Sequence, residues 1–362
     1  MKQNIQNNQR EFGLDLLRSL SMIFVVVLHL VTHGNPGNAL GAGAAPMVKL
    51  LQGAVYPAVD IFVLLSGYLL CRQSFRLERI LRVWVPAVFW SVAIQCLFFL
   101  LEPGSFSLGK AVYMFLPVLS ERYWFLNAYI VMILLSPGLN KLLQELPRWQ
   151  LRAGLLACTV IFCIAPVLAL GTDVFKTQNG YGFAWFLALY FWGGYIRLYV
   201  PKLTQRQSTF ALLGYGVLVL GHLLWMLAME RLDETLANVF MRYTSIPVFG
   251  SALCLLQYFR SERFDVPRGL VSRLSPLVFA VYLIHDHPLV RSVVIGNVFK
   301  KLPDAPGWMV LLYGGAVTAA IFAACVAAEW VRVRMFRLLR IDAWMKKESR
   351  ILTDKIKNLL NR

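Results

Sequence analysis

Gly13-Leu14-Asp15-Leu16-Leu17-Arg18-Ser19-Leu20-Ser21-Met22-Ile23-Phe24-Val25-Val26-Val27-Leu28-His29-Leu30-Val31 is an apolar run of membrane-spanning length, with ionised groups near one end and an imidazole near the other. Ionisable groups inside such a segment are costly and usually functional. On an α-helix the eleven residues from Arg18 to His29 fall about 20° short of three full turns, so the two side chains share a face, about 16 Å apart along the axis. They are therefore placed to act on opposite ends of one elongated ligand. Arg18 could equally snorkel to the lipid headgroups with Asp15 as its partner, and His29 could be a packing residue.

Apolar runs of similar length recur along the 362 residues, 58% of which are hydrophobic, and this excludes an ordinary soluble domain. Runs of about 20 apolar residues cross a bilayer as helices. The pattern predicts an all-α polytopic membrane protein of about ten transmembrane helices, near 14–33, 53–71, 83–101, 123–140, 151–170, 183–200, 209–229, 243–259, 275–295 and 308–330. Residues 1–13 read as an unstructured cytoplasmic lead, 14–330 as the membrane domain and 331–362 as a basic amphipathic tail on the inner leaflet. With alternating spans, 26 of the 36 Lys and Arg fall on the side of the termini and 9 on the other, an asymmetry that places both termini in the cytoplasm. Topology thus accounts for the net charge of +17, and no nucleic-acid partner is needed. The six cysteines lie in or at the edge of spans without paired spacing, so neither a disulfide framework nor a metal site is expected.

Around the first span, other residues stand out. The segment His33 to Gln52 reads as a Gly/Ala/Pro-rich external connection. Asp60, about two turns in from the external end of the second span, is at a depth where it could orient His29 as a general base, or it could pair with another buried polar group. Arg72, Arg76, Arg79 and Arg82 fall in one broad arc of a helical face at the inner surface. They form either a lipid-phosphate belt or a site for a phosphorylated ligand, which guanidinium suits through bidentate contact. Trp124 and Asn127, at the external start of the fourth span, belong to an aromatic belt or to a sugar-binding site. In His285-Asp286-His287-Pro288, Pro288 cannot donate to the carbonyl of Ile284, so the helix should bend beside His285. Two histidines separated by one residue point to different faces, which makes a shared metal awkward. Gly193-Gly194 reads as a close helix contact, and Glu329 as a partner for Arg332.

Arg18-x10-His29 in a span opening Leu14-Asp15-x-Leu17-Arg18, the run from Phe62 to Tyr68, Arg79-x-x-Arg82 ahead of Pro86, Trp124-Phe125-Leu126 and Tyr282-Leu283-Ile284-His285 together resemble the membrane acyltransferase family 3, over nearly the whole chain. The resemblance implies a ten-helix enzyme of a bacterial inner (plasma) membrane. It would move an acyl group, usually acetyl, from cytoplasmic acetyl-CoA to a hydroxyl of an extracytoplasmic glycan or lipid-linked sugar. Acyl-CoA is then a co-substrate, with no permanently bound cofactor or metal, and the other partners are the glycan or glycolipid acceptor and membrane lipids. The resemblance places the family's functional signatures on Arg18, His29, Arg79 and Arg82 and favours a site role for Trp124. Joined with the reading of the residues themselves, the expected catalytic pair is His29 and Asp60, the CoA phosphates fall to Arg18, Arg79 and Arg82 with Arg72 and Arg76, and the acceptor or pore to Trp124, Asn127, His285, Ser66 and Tyr68. His29 would deprotonate the acceptor or carry the acyl group. The chain departs from the family at Asp60-Ile61-Phe62, where a double phenylalanine is common, and no appended hydrolase-like domain is expected. The competing class is a transporter of a small polar metabolite or sugar, although no clear inverted repeat is present.

Overall fold

The computed structural model describes residues 2–34, 44–296, 298–301 and 306–360. These form helices and connecting turns, with no strand among the described residues. The long elements are α1 (Lys2–His33), α2 (Ala45–Val55), α3 (Ala58–Leu70), α4 (Glu78–Leu101), α5 (Trp124–Glu145), α6 (Arg148–Thr159), α7 (Phe183–Tyr199), α8 (Gln205–Met229), α9 (Ile246–Ser261), α10 (Val278–His285), α11 (Gly307–Leu338) and α12 (Ile341–Leu360). Among the described residues, seven segments are long and apolar enough to cross a membrane, or eight if α10 and the chain resuming at Pro288 form one bent crossing. Helices α7 and α9 occupy two more of the expected spans, at 17 and 16 residues. The count of ten and the side on which the termini lie remain expectations of the sequence.

Burial sorts these helices into an inner and an outer set. The crossing formed by α2 and α3 is 72% buried inside the protein and that of α1 is 61%, whereas α8 and α11 are 17% buried although equally apolar. A helix that is apolar all round has to face either a protein core or lipid. Exposed Val217, Leu220 and Leu224 on α8, and Leu311 and Leu312 on α11, form an outer surface suited to acyl chains. At the centre, α1 packs against α2, α3, α9, α10 and α11. Helices α3 and α7 cross with their backbones in contact at Gly67 and Gly193, the close approach expected for Gly193-Gly194.

Several boundaries differ from those expected. The second crossing starts at Ala45, inside the segment read as an external connection, because Pro46 in the first turn favours a helix start; residues 35–43 of that connection lie outside the described residues. Helix α1 continues N-terminally to Lys2, through the polar lead. Helix α11 runs past residue 330 to Leu338, and α12 follows a break at Arg340, whose φ is 55°. Glu329 accepts hydrogen bonds from Arg332 Nε at 2.8 Å and from Trp90 Nε1 at 2.9 Å, so the expected ion pair also ties α11 to α4. A buried carboxylate needs such full satisfaction.

Candidate active site

Two cavities adjoin along α1. The inner one, of about 210 Å³, is lined by Arg18, Phe62, Ser66, Phe125, Tyr129 and Phe279 among others. The outer one, a narrow cleft, is lined by His29, Phe62, Trp124, Phe125, Phe279 and Tyr282 among others. Phe62, Phe125 and Phe279 border both and form an apolar waist between them. Helical periodicity within α1 therefore does what the spacing suggested: the guanidinium and the imidazole open on one side of the helix, each into its own chamber.

The proton positions around His29 follow from its neighbours. His285 Nδ1 lies 2.5 Å from the carbonyl of Val281, which can only accept, so Nδ1 carries the hydrogen. In the neutral ring Nε2 is then an acceptor, and it takes the hydrogen of His29 Nδ1 at 2.9 Å. Asp286 Oδ1 is 3.5 Å from the same His29 Nδ1 and also accepts from Arg291, whose NH1 is 3.2 Å away. Both polar contacts of the His29 ring use Nδ1, so Nε2 keeps its lone pair in the cavity that the ring lines. This is the tautomer of a general base, with Nδ1 held by His285 and Asp286 and Nε2 left to take a proton.

The break after α10 creates this arrangement. Helix α10 ends at His285, and the chain turns by 63° before resuming at Pro288, as the proline implies. The turn carries Asp286, 4% exposed at its side chain, towards α1. Asp286 is the neighbour of His29 to which reasoning from the sequence gave no role. Its signal was a carboxylate next to a helix-breaking proline, in a motif read only for its histidines.

Asp60 does not take the role expected of it. It lies in the first turn of α3, fully buried, and its Oδ1 accepts from Trp185 Nε1 of α7 at 3.0 Å, while Oδ2 has no partner. The side chain turns to α7 rather than to α1, so the carboxylate beside His29 comes from Asp286. His285 likewise holds His29 from behind instead of facing an acceptor.

The inner arginines are also rearranged. Arg72 and Arg76 lie between α3 and α4, so the four residues do not share one helical face. Arg79 donates to the Ser74 carbonyl at 2.8 Å and to Gln73 Oε1 at 2.7 Å, knitting that connection together. Arg82 pairs with Glu78 at 2.7 Å. Arg76, with Lys346 and Arg350 of α12, borders a polar groove of about 1000 Å³. Arg18 is held in the inner cavity by Asp15 at 2.9 Å and by Ser275 Oγ at 3.1 Å.

Ser66 lines the inner cavity, its Oγ 3.0 Å from the Tyr129 hydroxyl. Tyr68 borders neither cavity: its hydroxyl accepts from Arg197 at 3.1 Å, and the Arg197 and Arg260 guanidinium groups lie over its ring. Its place is thus a packing contact and not the pore, because it is drawn to cations at the inner end of α7 and α9. Trp124 borders both the outer cavity and a groove of about 1260 Å³, shared with Asn127, Thr177 and Tyr181. Its ring stacks on Tyr243 with centroids 5.6 Å apart.

A family model described as an acyltransferase domain matches residues 11–330 of the chain. No curated protein and no solved structure matches it.

Proposed function

We propose that this chain, which belongs to the acyltransferase-domain family, is a transmembrane O-acyltransferase that moves an acetyl group from cytoplasmic acetyl-CoA to a hydroxyl of an extracytoplasmic glycan or lipid-linked sugar. The observation that carries the reading is the pair of adjoining cavities along α1, one with a guanidinium and the other with an imidazole whose Nε2 is free. The thioester donor is made on one side of the bilayer and the envelope glycan lies on the other, so the protein has to bring their ends together. The phosphates of the donor meet Arg18 and, in the polar groove that Glu78 and Asp354 also line, Arg76, Lys346 and Arg350, where charge-assisted contacts are strong. The pantetheine arm passes the phenylalanine waist, and the thioester reaches His29. The acceptor enters by the groove that Trp124 shares with the outer cavity, where an aromatic face suits a sugar ring. His29 Nε2 takes the proton of the acceptor hydroxyl, and His285 and Asp286 hold the ring through Nδ1.

Purified protein incubated with labelled acetyl-CoA and an envelope glycan should release CoA and label the glycan in equal amounts. A protein that carried the glycan across vesicles with the thioester intact would overturn the reading. In the same assay Asp286→Asn lowers turnover about 10²-fold, since Nδ1 loses the carboxylate that holds it; full activity in that variant would remove Asp286 from the site.

A further inference from the structure

We infer that the Tyr282 hydroxyl and the Phe125 amide at the start of α5 form the oxyanion site of this acyl transfer, a binding site for the thioester carbonyl oxygen. The inference rests on the acyltransferase reading and gives a role to two residues, Phe125 and Tyr282, that lie in stretches carrying the family resemblance but were assigned no function from the sequence.

The first observation is an unused donor. Tyr282 is 5% exposed and lines the outer cavity with His29, yet its hydroxyl has no hydrogen-bond partner. A buried tyrosine hydroxyl usually finds a partner, because leaving one unmade costs about 1–3 kcal/mol. A buried donor on a residue that lines a cavity is accounted for when a ligand in that cavity supplies its acceptor.

The second observation is independent of the first. Helix α5 begins at Trp124, and the preceding Tyr123 gives no side-chain cap. The first backbone bond of the helix runs from the Asn127 amide to the Tyr123 carbonyl at 3.3 Å, so the amides of the three residues before Asn127 have no acceptor within the helix. Trp124 and Phe125, the first two residues of α5, both line the outer cavity. The positive end of the α5 dipole therefore faces the chamber that holds the base.

The third is rigidity. The Tyr123 hydroxyl donates to the carbonyl of Leu283 at 2.9 Å, which pins the start of α5 to α10 next to Tyr282. The Tyr282 ring packs against both Tyr123 and Phe125, with centroids 5.8 Å apart in each pair. Donors fixed in this way stabilise charge without reorganising as it develops.

In the step that follows, the acceptor oxygen attacks the thioester carbon as its proton passes to His29 Nε2. The carbonyl π pair moves onto oxygen, which accepts hydrogen bonds from Tyr282 and from the Phe125 amide. Collapse restores the carbonyl and expels the CoA sulfur, which takes the proton from His29. The products are the O-acetyl ester and CoA thiol, with the imidazole regenerated.

Tyr282→Phe removes one oxygen that has no protein partner, so the fold is kept. The variant is compared with the wild type in acetyl transfer and in binding of CoA and of trifluoroacetonyl-CoA, whose hydrated ketone copies the tetrahedral geometry. The expected result is a turnover loss of about 10²-fold, in the range for removal of one oxyanion donor. The KM for acetyl-CoA and the affinity for CoA stay within twofold, and trifluoroacetonyl-CoA binds at least about tenfold more weakly, as a transition-state contact requires. Turnover within threefold of the wild type, or a loss confined to the acceptor KM with trifluoroacetonyl-CoA binding unchanged, would overturn the assignment. A wild-type protein that releases no CoA refutes the acyltransferase reading itself, before any variant is compared.

Discussion

His29→Ala lowers acetyl transfer by about 10³-fold or more, in line with the loss of a general base that also anchors a hydrogen-bonded relay. The variant removes the Nε2 lone pair from the outer cavity and leaves His285 Nε2 and Asp286 without the donor that His29 Nδ1 supplies. Arg18 and the inner cavity are untouched, so affinity for CoA stays near that of the wild type, and the defect lies in turnover rather than in KM. His29→Gln provides the control for folding: the amide nitrogen can still donate to His285, but no group is left that takes a proton at neutral pH. Equal inactivity of the two variants, with unchanged CoA binding by calorimetry, is the expected outcome. Activity within tenfold of the wild type in either of them places the base elsewhere and undoes the mechanism.

The second large effect is on the fold. A Cβ at Gly193 would sit 2.1 Å from the Leu64 carbonyl oxygen and 2.9 Å from the Tyr68 nitrogen; at Gly67 it would sit 2.1 Å from the Tyr190 carbonyl oxygen. These obstacles are backbone atoms of the facing helix, so no rotamer change relieves them. Gly193→Val forces α3 and α7 apart, at a cost of about 3 kcal/mol or more by the measure of overpacked cores. Because α3 carries Phe62 and Ser66, which line the cavities, any surviving protein loses activity as well. Thermal unfolding in detergent should show a sharply lowered midpoint or no folded protein. Gly216→Ala on α8 is the matched control: nothing lies within 4 Å of its Cβ, and alanine is the better helix former. A wild-type midpoint for Gly193→Val would show that the helices do not cross as closely as described.

Much of the candidate site could be read from the chain because it depends on one helix at a time. The common face of Arg18 and His29 is a property of α1 alone, set by 3.6 residues per turn, and the bend at Pro288 is a property of one missing N–H. Membrane crossings are equally local, since each is a run of apolar side chains whose backbone groups have to bond within the segment. The errors have a different origin. Asp60 and Tyr68 were placed by depth and spacing, yet each took the partner that a neighbouring helix brought within reach, Trp185 for Asp60 and Arg197 and Arg260 for Tyr68, whereas Arg79 and Arg82 are engaged locally, by Ser74 of the preceding connection and by Glu78 of their own helix.

Apolarity and helical period in the amino-acid order were enough to settle that the protein is an all-helical membrane protein and that a guanidinium and an imidazole look out from one side of its first crossing. Which carboxylate stands behind that imidazole, which of its nitrogens is free, and that a tyrosine hydroxyl is left open beside it were decided only when α1, α5 and α10 came together. Hydrogen-bond partners are chosen across helix contacts, over distances of a few ångströms between residues more than 200 positions apart, and no local pattern encodes that choice.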